Sequence, residues 1–264
     1  MVKSAILSSM LVALTAFQST DAVTNSSGCG KAANITSGTY TTTINGTERG
    51  YIVRVPEGYD PSVPHPFIIT YHWFGATAYN VTQNSSKYGN GSYYGLVDLA
   101  NESTIFVSPQ GLDNGWSNVN DDDMTFTDTI LRWVDDECGR EVGRGTTFKA
   151  AAVLSGTDYT TATGEPVPIG FLVSHGVSDP GNLISKGRSM RDVFLEVNRC
   201  SNQTAPEPVP GSKSHIKTTY TNCSKPVTFI AFDGVHEYSP VDAGASSSWV
   251  PGELWNFFFL SESS

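Results

Sequence analysis

The clearest signal in the chain is a series of short apolar runs separated by polar, glycine- and proline-rich stretches. Ser37 to Ile44 (SGTYTTTI) is rich in Thr, with a Tyr and an Ile, and reads as a strand. Asn45-Gly46 is a hairpin turn signal, and Arg49 to Pro56 answers it as a second strand. After a proline-rich loop come Phe67 to Trp73 (FIITYHW) and Ser103 to Pro109 (STIFVSP), largely apolar runs of the kind that parallel sheets bury on both faces. Phe148 to Leu154, Pro168 to Ser174 and Pro226 to Phe232 are three more strand runs. Asp121 to Glu137 opens with three acidic residues, which suit the positive end of a helix dipole, and places Met124, Thr127, Leu131 and Val134 on one face. Val250 to Leu260 predicts a last helix, with Pro and Glu in its first turn. Strands alternating with helices imply an α/β fold with a mostly parallel sheet flanked by helices.

The first residues stand apart. Lys3 is followed by an apolar run, Ala5 to Phe17, and then by a polar stretch ending at Ala22. That is the pattern of a secretory signal peptide over 1–22, too short to span a membrane comfortably, which leaves 23–264 as a single domain; a buried N-terminal strand or helix is the lesser alternative for the same run. The expectation is a secreted, extracellular protein with no membrane partner. Nine N-x-Ser/Thr sequons, at Asn25, Asn34, Asn45, Asn80, Asn84, Asn90, Asn101, Asn202 and Asn222, predict a glycosylated surface in that compartment. Four cysteines, Cys29, Cys138, Cys200 and Cys223, predict two disulfides there. Three pairings are open, with Cys200 and Cys223 flanking a Pro/Ser/Thr loop. None has metal-ligand spacing, and no HExxH motif is present, so neither a metal nor another cofactor is expected. Sixteen Lys+Arg against 26 Asp+Glu give a net charge of −10, and there is no basic stripe for a nucleic acid.

In a parallel α/β sheet, chemistry gathers at the carboxyl ends of strands. Three predicted strand ends are loaded: Tyr71-His72-Trp73-Phe74-Gly75, Ser174-His175-Gly176-Val177-Ser178-Asp179, and Phe232-Asp233-Gly234-Val235-His236. An acid after one strand and a histidine after a later one match the tail of the order Ser…Asp…His. Each residue alone also fits a plain structural role: Ser178-Asp179-Pro180-Gly181 is a turn signal, and His72 and His175 fit satisfied core histidines.

The chain resembles the fungal secreted feruloyl esterases, small α/β-hydrolases close to polyhydroxybutyrate-depolymerase-like esterases. The segments that carry the resemblance span nearly all of 23–264. They are Gly28-Cys29-Gly30, His72-Trp73-Phe74-Gly75, residues 106–111 with Gly115-Trp116-Ser117-Asn118, Ala152-Val153-Leu154-Ser155-Gly156, His175-Gly176-Val177-Ser178-Asp179, 187–192, 231–236 and 250–255. The resemblance implies a serine esterase that releases ferulic acid from feruloylated arabinoxylan of plant cell walls, in polysaccharide degradation. It implies Asp179 and His236 as catalytic acid and base, and the loop after His72 near the oxyanion hole, with His72, Trp73, Gly75 and Trp116 about the substrate pocket. The family pattern has a second glycine where Val235 stands, a change expected to crowd the loop. Acetylxylan esterase and polyester depolymerase are the alternative activities.

The nucleophile is absent. No serine in the chain has glycine both two before and two after it, so the Gly-x-Ser-x-Gly elbow is not present. The elbow belongs between the helix 121–137 and the strand 148–154, where only Cys138 to Thr147 (CGREVGRGTT) stands. A strand, an elbow and a helix need roughly 25 residues, so the whole central block is missing. A gene-model error that skipped this block, a splice form or non-catalytic carbohydrate-binding pseudoenzyme, and a substitute nucleophile at Ser155 or Thr157 are the competing explanations. Without the block, the expectation is a poorly folded chain.

Overall fold

A computed structural model describes residues 11–15, 24–25, 35–83, 91–137, 141–142, 148–157 and 165–259. Its strands are β1 (Leu11–Thr15), β2 (Thr24–Asn25), β3 (Gly38–Ile44), β4 (Thr47–Arg54), β5 (Phe67–Thr70), β6 (Ile105–Pro109), β7 (Glu141–Val142), β8 (Ala150–Leu154), β9 (Gly170–Gly176), β10 (His215–Thr219) and β11 (Val227–Phe232). Its α-helices are α1 (Ala78–Thr82), α2 (Leu96–Ala100), α3 (Asp122–Glu137), α4 (Ile184–Val197) and α5 (Val250–Phe259).

Nine strands form one sheet in the order β10-β11-β9-β8-β1-β5-β6-β4-β3, while β2 and β7 pair separately. The sheet is mixed. β5 with β6, β8 with β9, and β9 with β11 run parallel. The β3–β4 hairpin, its junction to β6 and the edge strand β10 are antiparallel. The hairpin turns at Asn45 and Gly46, both at positive φ (47° and 84°), the pair of left-handed conformations that an Asn-Gly turn supplies. Every residue of β5, β6, β8, β9 and β11 is buried, as expected of strands covered on both faces.

Alternation of side chains sends Phe67 and Ile69 into one core and Ile68 into the other. The first core takes Phe126, Ile130, Leu131 and Val134 of α3 and Met190 of α4. The second takes Val81 of α1, Leu96 of α2 and Leu254 and Phe258 of α5. Helix α4 and strand β10 have no counterpart in the sequence reading. In α4 the core-facing positions include Gly187 among polar neighbours, which blurs the apolar stripe. β10 is an edge strand with only Thr218 buried, so it lacks an apolar run.

The centre of the sheet holds an unexpected strand. β1, from within the predicted leader, lies between β5 and β8 and is antiparallel to both. β5 and β8 therefore run the same way with one strand's width between them. Thr15 pairs with Phe67 at the start of β5, so β1 enters at the carboxyl ends of its neighbours and leaves at their amino ends. The stretch 138–147, expected as loop only, contributes Glu141 and Val142 as β7, paired with Thr24 and Asn25.

Cys200 and Cys223 form a disulfide, joining the end of α4 to the turn before β11. Cys29 and Cys138 lie outside the described residues, as do the sequons at Asn34, Asn84 and Asn90. Asn25 is in β2, Asn45 in the hairpin turn and Asn80 in α1, while Asn101, Asn202 and Asn222 are exposed. No helix among the described residues is long and apolar enough to cross a membrane, and no group of three metal-ligating side chains occurs among them.

Candidate active site

Parallel pairing of β9 with β11 sets His175 opposite Ala231 and Gly176 opposite Phe232. The pairing continues past the strand ends: Val177 donates its N–H to the Phe232 carbonyl and Ser178 to the Gly234 carbonyl. The approach is so close that a Cβ on Gly176 would lie 2.5 Å from the Val235 oxygen. Only glycine lets the two loops meet here.

Their meeting brings Asp179 and His236 together. His236 Nδ1 is 2.8 Å from Asp179 Oδ2, with the carboxylate buried and the imidazole 40% exposed. Asp179 Oδ1 accepts the backbone N–H groups of Gly181 and Asn182, both at 2.8 Å. A carboxylate oriented by two backbone donors holds the histidine by one ring nitrogen, the arrangement a general base needs to keep one tautomer and direction. Val235 is 52% exposed, so the expected crowding does not arise: its side chain points out to solvent. The crowded position is Gly234, where a Cβ would lie 2.6 Å from Glu237 Oε1 and 2.7 Å from the Phe232 ring.

The loop after β5 is built differently. His72 is fully buried, and burial pushes its pKa down. Its Nδ1 donates to the Trp73 carbonyl, which fixes Nε2 as acceptor for the Gly111 N–H at 2.9 Å. Trp116, also buried, donates from Nε1 to the His72 carbonyl and packs edge-on to Tyr71. His72 and Trp116 were expected at the substrate pocket; their side chains instead fasten the β5 loop to the β6 loop from beneath. Gly75 adopts φ 79°, and its N–H is taken by the Asn114 carbonyl at 2.8 Å, so it is not an oxyanion donor in this arrangement. Trp73 is half-buried and stacks on Tyr238, two residues beyond His236, and Tyr94 meets the same Tyr238 edge-on. Phe74, Leu112, Leu183 and Val235 are exposed on these loops.

Ser155, weighed as a substitute nucleophile, is fully buried at the end of β8 with φ 49°. Its hydroxyl donates to the Glu237 carbonyl at 2.6 Å and its carbonyl accepts Asn182 Nδ2 at 3.0 Å. It is a structural tie, closed to substrate, and Thr157 is likewise buried. Asn182, His175 and Ser155 all bear on the acid loop, and sequence reading did not connect them. Their contacts come from neighbouring strands, and no local motif signals them.

No protein-family model matches the chain. Among curated proteins it is 37% identical to feruloyl esterase C of Emericella nidulans, over 89% of this chain and 91% of that protein. It is 35% identical to the probable feruloyl esterase C of Aspergillus terreus, over 96% and 98%. Feruloyl esterase D of Neurospora crassa is 33% identical over 94% and 95%. That last alignment runs over 276 positions against 264 residues in this chain, so at least 12 positions of the relative have no counterpart here. A solved thermostable esterase superposes with a TM-score of 0.46 at 14% identity, covering 82% of this chain and 59% of that one.

Proposed function

Since the chain belongs to the feruloyl esterase family, we propose that its site is built to hydrolyse carboxylic esters of ferulic acid on feruloylated plant cell-wall polysaccharide. The observation that carries this reading is the 2.8 Å contact of His236 Nδ1 with buried Asp179 at the adjoining ends of β9 and β11. In this mechanism His236 takes the proton of a serine hydroxyl as it attacks the ester carbonyl, then returns it to the leaving sugar oxygen. Asp179 holds the imidazole and stabilises its charged form, and the backbone at the start of the loop after His72, ahead of the engaged N–H groups of Gly75 and Ala76, receives the oxyanion. Water then repeats the cycle on the feruloyl-enzyme and frees the acid.

The serine itself is missing from the chain as written. The strand that should present it belongs between β5 and β8, where β1 now lies the opposite way. The relatives' extra alignment positions and the ten residues 138–147 support the loss of one strand–elbow–helix block, by a gene-model error. Residues 1–22 act as a secretion signal, and the domain 23–264 in its longer form, with the missing block restored, is a glycosylated extracellular protein acting in xylan degradation. A second reading, a carbohydrate-binding pseudoenzyme, is favoured by the absent Gly-x-Ser-x-Gly alone.

The test has two arms. The transcript is sequenced across the codons for Glu137 to Phe148, and methyl ferulate hydrolysis is measured for the chain as written and for any longer form found. We expect an in-frame insert with Gly-x-Ser-x-Gly and hydrolysis by the longer form only. Turnover by the chain as written would mean a nucleophile elsewhere. A transcript as written, with no hydrolysis but retention on insoluble xylan, would establish the pseudoenzyme.

A further inference from the structure

The acid and base are joined by more than their own hydrogen bond. Starting at Asp179, Oδ1 accepts the N–H of Asn182. Asn182 Nδ2 donates to the carbonyl of Ser155 at the end of β8. The Ser155 hydroxyl donates to the carbonyl of Glu237. Glu237 follows His236, which returns to Asp179 Oδ2. These contacts close a ring through three separate strand ends, β8, β9 and β11.

His175 braces this ring from below. It is fully buried, and its Nε2 is 2.6 Å from the Asn182 carbonyl, which can only accept, so the ring proton sits on Nε2. Asp179 Oδ2 is farther away, at 3.6 Å. Burial pushes the His175 pKa down, which keeps the imidazole neutral. A neutral His175 does not compete with His236 for the carboxylate. Its Nδ1 has no hydrogen-bond partner among the described residues and faces α4, where a Cβ on Gly187 would come within 2.6 Å of it. Gly187 is what gives the ring its place.

We propose that Asn182 and Ser155 are positioning residues that close a hydrogen-bonded ring around the Asp179–His236 pair, with His175 fixing the Asn182 carbonyl. The proposal rests on the reading of Asp179 and His236 as acid and base, and it assigns work to residues that touch neither substrate nor the reacting atoms. Ser155 sits at φ 49°, a conformation that a glycine would adopt with less strain. Its retention of a side chain there is explained by the hydroxyl's bond to Glu237.

The test reads the ring without catalysis. In the full 264-residue chain, labelled with nitrogen-15, the Nδ1 proton held between His236 and Asp179 gives a far-downfield imidazole signal, assigned by its loss in His236→Gln. Asn182→Ala and Ser155→Gly are compared with the parent. Each should speed the exchange of that proton about tenfold, the factor one lost hydrogen bond is worth, while the backbone amide spectrum stays native. Ser155→Gly is the sharper variant, because it suits the local φ and keeps the carbonyl that Asn182 uses. Gly187→Ala, which displaces His175, should move the same signal should the Asn182 variant fail to fold. An unchanged signal in folded Ser155→Gly and Asn182→Ala proteins would overturn the proposal, as would a parent chain with no dispersed spectrum. Failure of ester hydrolysis by the longer form would count against the esterase reading and leave this result standing.

Discussion

The two halves of the sheet are finished to different degrees. From β8 to β11 the strands run parallel, their carboxyl-end loops interlock, and Asp179 and His236 stand in hydrogen-bond contact. From β5 to β3 the frame is buried in β5 and β6 but largely exposed in β3, and it is tied through His72, Trp116 and the buried Arg49–Asp123 pair at 2.8 Å. Between them the slot is occupied by a strand of the wrong direction from the other end of the chain. A candidate site made of strand ends can therefore keep most of its geometry when its centre is replaced. The flanks are held by their own contacts, and what is lost is the central strand with its elbow and helix.

The largest effect comes from filling the slot. A chain carrying the family's strand and elbow should hydrolyse methyl ferulate, and His236→Ala in it should lower kcat about 10⁶-fold, to the level of the chain as written. Equal rates for that variant and its parent would show that the finished half does not serve the reaction. Next, Asp179→Asn in the same longer chain should cost about 10⁴-fold in kcat, because the imidazole loses the group that sets its tautomer. A loss confined to KM would mean that the pair binds substrate and does not move protons.

Stability separates the halves on a smaller scale. The Cys200–Cys223 bridge closes a loop with a sequence separation of 23 beside β11. Replacing both cysteines by serine should cost about 3 kcal/mol in urea unfolding, by the loop-closure entropy that the bridge removes from the unfolded chain. An unchanged midpoint would show that the flank is held by packing alone.

The smallest effect is in pH. Burial lowers the pKa of His72 on one side of the slot and of His175 on the other. Unfolded, each histidine takes up a proton as pH falls through about 6.5, while the native site refuses it, so the unfolded state binds more protons. Stability is therefore full above that pH and declines below it, by at most about 1.4 kcal/mol per pH unit for each histidine. Thermal midpoints measured between pH 7.5 and 5.0 should fall, and His72→Gln should flatten part of the slope. A slope unaltered by that substitution would place the proton uptake elsewhere.

Much of this was legible in residue order. The Asn45-Gly46 turn, the apolar runs that became β5, β6, β8, β9 and β11, and the amphipathic α3 are local signals, and they fold where they were read. Asp179 and His236 were legible because chain order after two strands encodes which loops can meet. The ring through Ser155 and Asn182 was not, since a left-handed φ and three cross-strand hydrogen bonds exist only once the strands are aligned. β1 was legible only as the lesser alternative for its stretch: an apolar run behind a lysine signals export, and its place as a central strand depends on a gap that the sheet alone creates.

That gap has a colloidal consequence. Export would cleave away the strand that closes it and leave Phe67–Thr70 and Ala150–Leu154 facing one another as bare edges. Neither segment contains a charge, a proline or a bulge to discourage pairing with another chain. A processed chain of this sequence is thus a template for its own aggregation, and a secretory pathway that inspects exposed edges would retain it before it reached any cell wall.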